Sequence, residues 1–192
     1  MKTILQVEDD ENDVFFFQRA MKKAGADNPI QVATDGRQAI DYLQGTGKFS
    51  DRELFPLPSL VLLDLKLPHV MGLEVLRWIR QQPGPAIPVV ILSASGEWAD
   101  ISAAYQLGAN AVLMKPSEAG KLDEMVRSIK DFWLTQNTLP PFSDQERSVS
   151  SKGHAPVKAH PLALSPSKAL TPRAWLSPSP RPTYPRNTST GL

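Results

Sequence analysis

Cysteine is absent from all 192 residues. That excludes disulfide bonds and thiolate metal sites and fits a reducing compartment. No apolar leader precedes the first strand-like pattern, and no apolar run approaches the ~18 residues that a membrane-crossing helix needs, so the expected location is the cytoplasm. The turn after the first strand-like run lacks Gly-x-Gly, which disfavours a dinucleotide-binding fold. Internal repeats are missing too. So is any large excess of one charge, since 21 Lys+Arg stand against 20 Asp+Glu. That balance conceals a division: residues 1–139 hold 14 basic against 18 acidic groups, net −4, whereas residues 140–192 hold 7 against 2, net +5.

What is present is a recurrence of short strand-like runs, each followed by a helical pattern. The runs are Lys2–Val7, Ile30–Ala33, Val61–Asp64, Val89–Leu92 and Ala111–Met114. Three of them are apolar without alternation, as strands buried on both faces are. Helical spacing places Val14, Phe17, Met21 and Ala24 on one face of a helix over Glu11–Ala24, capped by Asp10 or Asn12 and stopped by Gly25. Asp35 and Gly36 open a second helix that Gly45 closes. A third runs from Leu73 to Gln82, with Leu73, Leu76, Trp78 and Ile79 as apolar contacts. A fourth runs from Glu97 to Leu107, and a fifth follows Ser117 as its N-cap, carrying Leu122, Met125, Val126, Ile129 and Trp133. Five β-α units predict an α/β fold: a five-stranded, doubly wound parallel sheet of the flavodoxin-like kind. In the long connection over residues 45–58, Asp51-Arg52-Glu53 reads most simply as a solvated tip. Residues 140–192 contain ten Pro and nine Ser without apolar periodicity. Such a segment is expected to be disordered and does not carry the amphipathic helices of a helix-turn-helix output module.

The strand ends concentrate the chemistry. Glu8 and Asp9 follow the first strand, Asp64 ends the third, Ser93 follows the fourth and Lys115 ends the fifth. In a parallel sheet these ends share one edge, where α/β proteins bind ligands. Asp64 alone could be no more than a cap for the loop after it. Three clustered carboxylates repel one another, by roughly 4 kcal/mol per pair 4 Å apart at an effective dielectric near 20. An all-oxygen donor set suits a hard divalent ion such as Mg²⁺. A carboxylate beside such an ion can act as nucleophile toward a phosphoryl group, with Lys115 and Ser93 placed to meet its oxygens. Asp10 reads as a cap rather than a ligand, and the loop residue His69 reads as incidental.

Taken jointly, Val7-Glu8-Asp9-Asp10, Leu62-Leu63-Asp64-Leu65-Lys66-Leu67-Pro68, Met71-Gly72, Ser93-Ala94 and Met114-Lys115-Pro116 resemble a response-regulator receiver domain, the CheY-like fold. The resemblance covers about residues 1–135 and leaves 136–192 as a Pro/Ser-rich basic tail. The opening Val7–Asp13 and the long loop before the third strand are most similar to stand-alone regulators of phytochrome-type histidine kinases. The resemblance implies that Asp64 is the phosphoacceptor and that Mg²⁺ is held by Asp9, Glu8, Asp64 and the main-chain carbonyl of Lys66. It implies further that Ser93 and Lys115 meet the phosphoryl group, and that a cis bond precedes Pro116. The implied partner is a sensor histidine kinase, with signalling through phosphorylation-dependent protein contacts. The downstream partner and the choice between monomer and homodimer stay open. The family's switch aromatic falls on Val112, so rotation of an aromatic ring there is excluded. Trp98 and Ile101 fit either a helix-four partner surface or the core.

Two other classes share parts of this pattern. An aspartate-nucleophile phosphohydrolase would place a second acid two residues after the nucleophile, where this chain has Lys66. The expected catalysis is therefore limited to the protein's own phosphorylation and slow dephosphorylation, and the protein is not expected to be an enzyme otherwise. A receiver-fold binding module that never uses phosphate would not need all the acid and lysine positions found here.

Overall fold

Strands β1 (Ile4–Val7), β3 (Leu60–Asp64) and β4 (Val89–Ser93) are buried along their whole length. Such strands require cover on both faces. The computed structural model describes residues 2–83 and 87–138. In it β2 (Ile30–Ala33) and β5 (Ala111–Met114) complete an all-parallel sheet in the order β2-β1-β3-β4-β5. Helices α1 (Glu11–Lys23), α2 (Gly36–Gln44), α3 (Gly72–Gln81), α4 (Trp98–Gln106) and α5 (Ala119–Ile129) follow the strands in turn. This is the doubly wound flavodoxin-like order expected of the sequence.

Side chains alternate along each strand, so the sheet sorts its residues between two cores. Leu5, Val7, Val61, Leu63, Val89 and Ile91 pack toward α2, α3 and α4, against Ala39, Val75, Leu76 and Ala104. Ile4, Leu60, Leu62, Val90 and Leu92 pack toward α1 and α5, against Phe17, Met21, Val126 and Ile129. In α3 it is Val75, rather than Leu73 or Trp78, that is fully buried beside Leu76 and Ile79. Among the described residues no helix is long and apolar enough to cross a membrane.

Local chemistry sets the helix ends. Asp10 caps α1 by accepting from the Asn12 amide at 2.8 Å, and Asp35 caps α2 by accepting from the Gln38 amide at 2.7 Å. Gly45 ends α2 in the left-handed conformation, at φ 71°. The structure corrects the start of α5. Its N-cap is Glu118, so the Ser117 hydroxyl lies one residue too early to reach the first free amides. Beyond Ile129 the chain continues as a π-helical turn over Lys130–Gln136, anchored by Lys2 Nζ, which donates to the carbonyls of Leu134 at 2.9 Å and Asn137 at 3.2 Å. The peptide bond before Pro116 is trans, because no described bond is cis. The proposed tail lies, from Leu139 onward, outside the described residues.

Arg52 is a second correction. It is no solvated tip: its guanidinium turns inward and donates to the carbonyls of Tyr42 at 2.8 Å, Leu43 at 2.7 Å and Phe55 at 3.1 Å. Tyr42 and Leu43 lie in the last turn of α2, where carbonyls are short of amide partners and a cation is well placed, and the Tyr42 carbonyl accepts from the Gly45 amide at 3.1 Å as well. Arg52 thereby ties the loop, with its Tyr42–Phe49–Phe55 aromatic cluster, to the helix. Arg52→Ala is expected to cost roughly 2–3 kcal/mol, since charge-assisted bonds to half-buried carbonyls are lost. The urea midpoint measures this, and an unchanged midpoint would contradict the role.

Candidate functional site

Strand alternation brings the acids together. Glu8 continues the register of Ile4, Asp64 that of Leu60 and Leu62, and Lys115 that of Ala111 and Leu113. All three therefore reach the sheet's C-terminal edge on the side covered by α1 and α5. Lys115 Nζ stands 2.5 Å from Glu8 Oε2, 2.5 Å from Asp64 Oδ2 and 2.9 Å from Asp13 Oδ2. Glu8 and Asp64 are buried, at 3% and 7% exposure, whereas Asp9 is exposed beside them. The other oxygen of Asp64 accepts from the Lys66 amide at 2.9 Å, which fixes the carboxylate's orientation.

Two titrations follow from this packing. Burial pushes the Glu8 carboxyl above its ordinary range, and the bond from Lys115 pulls back only in part. Burial also opposes the Lys115 charge, but bonds to Asp64, Glu8 and Asp13 outweigh it and hold the ammonium above the usual lysine value. A carboxyl raised on folding is protonated more in the native than in the unfolded chain. Its stabilising share is thus complete below the ordinary value of 4.5 and drains away as pH rises through the folded value. In chelator, Glu8→Gln is expected to flatten the fall in stability between about pH 4.5 and neutrality. Denaturant titrations across that range measure it, and an unaltered slope would contradict it.

Glu8, Asp9 and Asp64 each offer an oxygen within 4.8 Å of the others. The donors are hard, anionic and half open to solvent through Asp9, which fits a divalent cation that keeps some of its water. Asp10 stays out of the cluster as the cap of α1.

Ser93 is placed differently. It shares the register side of Val89 and Ile91, toward α2–α4, and its hydroxyl donates to the Ser95 carbonyl at 3.0 Å while accepting from the Ser95 amide at 3.1 Å. Its link to the cluster runs through the backbone, where the Lys115 amide donates to the Ser93 carbonyl at 2.8 Å. Val112 is half-buried against the same α2–α4 core. Residues 4–127 match the family described as "Response regulator receiver domain". The chain belongs to the response-regulator receiver family.

Among relatives of this receiver, response regulator Rcp1 of Synechocystis sp. is 39% identical over 140 residues, which span 72% of this chain and 93% of that protein. The probable methanogenesis regulatory protein FilR2 of Methanothrix harundinacea is also 39% identical, over 71% of this chain and 86% of its own length. The solved Mn²⁺-bound form of Rcp1 superposes with a TM-score of 0.66 over 73% of this chain and all of that one. The phosphorylated cyanobacterial phytochrome response regulator RcpA, 35% identical, gives 0.67 over 73% of this chain and 99% of that one.

Asp13, the third carboxylate on Lys115, was not singled out in the sequence. The available signal was its place in the first turn of a helix that starts at the same sheet edge. Trp98 is 83% exposed, which removes it from the core, while Ile101 is half-buried.

Proposed function

We propose that Asp64 accepts a phosphoryl group from the phosphohistidine of a sensor histidine kinase and that the charged state signals through protein contacts. The observation that supports this most is the Asp64 carboxylate, buried at a strand end with one oxygen held by the Lys66 amide and the other by Lys115. In the transfer an Asp64 oxygen forms the new P–O bond in line as the P–N bond breaks, and the electron pair leaves with the imidazole. Glu8, Asp9, Asp64 and the Lys66 carbonyl would hold Mg²⁺, which when bound supplies charge neutralisation for phosphoryl oxygens. Lys115 sheds its carboxylate partners to pair with a phosphoryl oxygen. Ser93 must release Ser95 to reach another, and this release is the conformational element that phosphorylation biases.

In this reading the receiver spans residues 1–135 and acts in the cytoplasm, with 136–192 as a tail. The kinase is of the phytochrome type, by analogy with what RcpA is called. Self-dephosphorylation is slow, because no second acid stands where Lys66 is. The test is incorporation of phosphate from acetyl phosphate with Mg²⁺. Wild type labels, while Asp64→Asn and the chelated protein do not. Equal labelling of Asp64→Asn would overturn the assignment.

A further inference from the structure

The Lys115 ammonium donates to three carboxylates, and the three are not equivalent. Glu8 and Asp64 stand 2.5 Å from Nζ and belong to the group of acids that converges as a candidate metal site. Asp13 stands 2.9 Å from Nζ and lies outside that group. Its side chain is 46% exposed, against 4% for Glu8 and 10% for Asp64. It also comes from a different element, the first turn of α1 rather than a strand end.

The same carboxylate oxygens serve two cations poorly. When Glu8 and Asp64 turn to a divalent ion, Lys115 loses its two shorter partners and meets a like charge beside it. Its side chain is only 16% exposed, so water does not make up the loss, and a shielded charge without a partner is costly. Asp13 is placed to prevent this. Asp13 and Lys115 both line the open cleft between α1 and α5, which leaves the ammonium room to turn from the acids of the metal group toward α1.

We propose that Asp13 is a positioning residue for Lys115, taking over its ammonium when Glu8 and Asp64 hold a divalent cation. This rests on the metal and phosphoryl reading above and adds a stage to it. Lys115 passes from Glu8 and Asp64 to Asp13, and from Asp13 to a phosphoryl oxygen. Asp13 thereby raises metal affinity without ligating the metal.

The experiment is a calorimetric titration of the full chain with Mg²⁺, for wild type, Asp13→Asn, Lys115→Met and the double variant. Asp13→Asn is expected to weaken Mg²⁺ binding about tenfold, the lower end of what a charge-assisted bond contributes. In the Lys115→Met background the same substitution should weaken it about threefold or less, the screened field of the carboxylate alone. Equal factors in the two backgrounds would show that Asp13 acts on the metal directly, and would overturn the proposal. A second reading needs no change at Lys115. At saturating Mg²⁺ the magnetic resonance signal of the Lys115 ammonium should be visible in wild type and lost to water exchange in Asp13→Asn. Identical Lys115 signals in the two proteins would contradict the handover. Asp9→Asn separates this proposal from the reading beneath it. Should Asp9→Asn bind Mg²⁺ as tightly as wild type, the metal assignment fails and the proposal with it. Should Asp9→Asn lose binding while the Asp13→Asn effect is independent of Lys115, the proposal alone fails.

Discussion

Gly72→Ala is expected to destabilise the protein by roughly 3 kcal/mol, at the upper end of overpacking penalties, and to abolish phosphoryl acceptance in whatever folds. Gly72 is the first residue of α3 and lies against the end of β3 that carries Asp64. A Cβ there would fall on the Asp64 carbonyl oxygen, 2.7 Å from the Leu65 Cα and 2.9 Å from the Asp64 carbonyl carbon. All three are backbone atoms, so no side-chain rotation can make room. The Gly72 amide also donates to the Leu65 carbonyl at 3.0 Å, so a shift of α3 breaks a bond as well as a contact. Gly36 holds the other side of the same loop, where a Cβ would meet the Val70 carbonyl and stand 2.8 Å from Val75 Cγ2. The denaturation midpoint reads the first effect and phosphate incorporation the second. A Gly72→Ala protein with wild-type midpoint and labelling would show that the strand end tolerates displacement.

Lys115→Met is the second large effect, and its size depends on the medium. The lysine side chain is 16% exposed, and Glu8 and Asp64 are more deeply buried still. Without its cation the cluster holds three carboxylates, two of them shielded from water. Removing one partner of a buried ion pair costs about 3–5 kcal/mol, because the remaining charge is uncompensated. In chelator at neutral pH the variant is therefore expected to be less stable by about that amount. Mg²⁺ should restore most of the loss, because a divalent ion at the same oxygens replaces the missing charge and stabilises by mass action. The reading is the Mg²⁺-induced rise in melting temperature, expected to be larger in Lys115→Met than in wild type. Equal rises, or a variant as stable as wild type in chelator, would contradict the role given to Lys115.

Much of the fold could be read from the chain because the signals were local. Unbroken apolar runs such as Val89–Leu92, stop glycines such as Gly45 and the acids before α1 each act within a few residues. The shared edge of Glu8, Asp64, Ser93 and Lys115 followed from parallel topology alone. Which face each side chain takes did not, since it depends on register relative to the core. That register separates Ser93 from the Glu8–Asp64–Lys115 group. Arg52 was misread for a related reason: its partners on α2 lie nine and ten residues away, and nothing in Asp51-Arg52-Glu53 announces them.

The measurement that tests the central claim most directly is chemical trapping of the phosphoryl site. After incubation with acetyl phosphate and Mg²⁺, borohydride reduction converts an aspartyl phosphate to homoserine, and peptide mass spectrometry locates it. The account predicts homoserine at position 64, and none when Mg²⁺ is chelated. Homoserine at Asp9, Asp10 or Asp13 instead, or no conversion in a protein that nonetheless retains label, would contradict it.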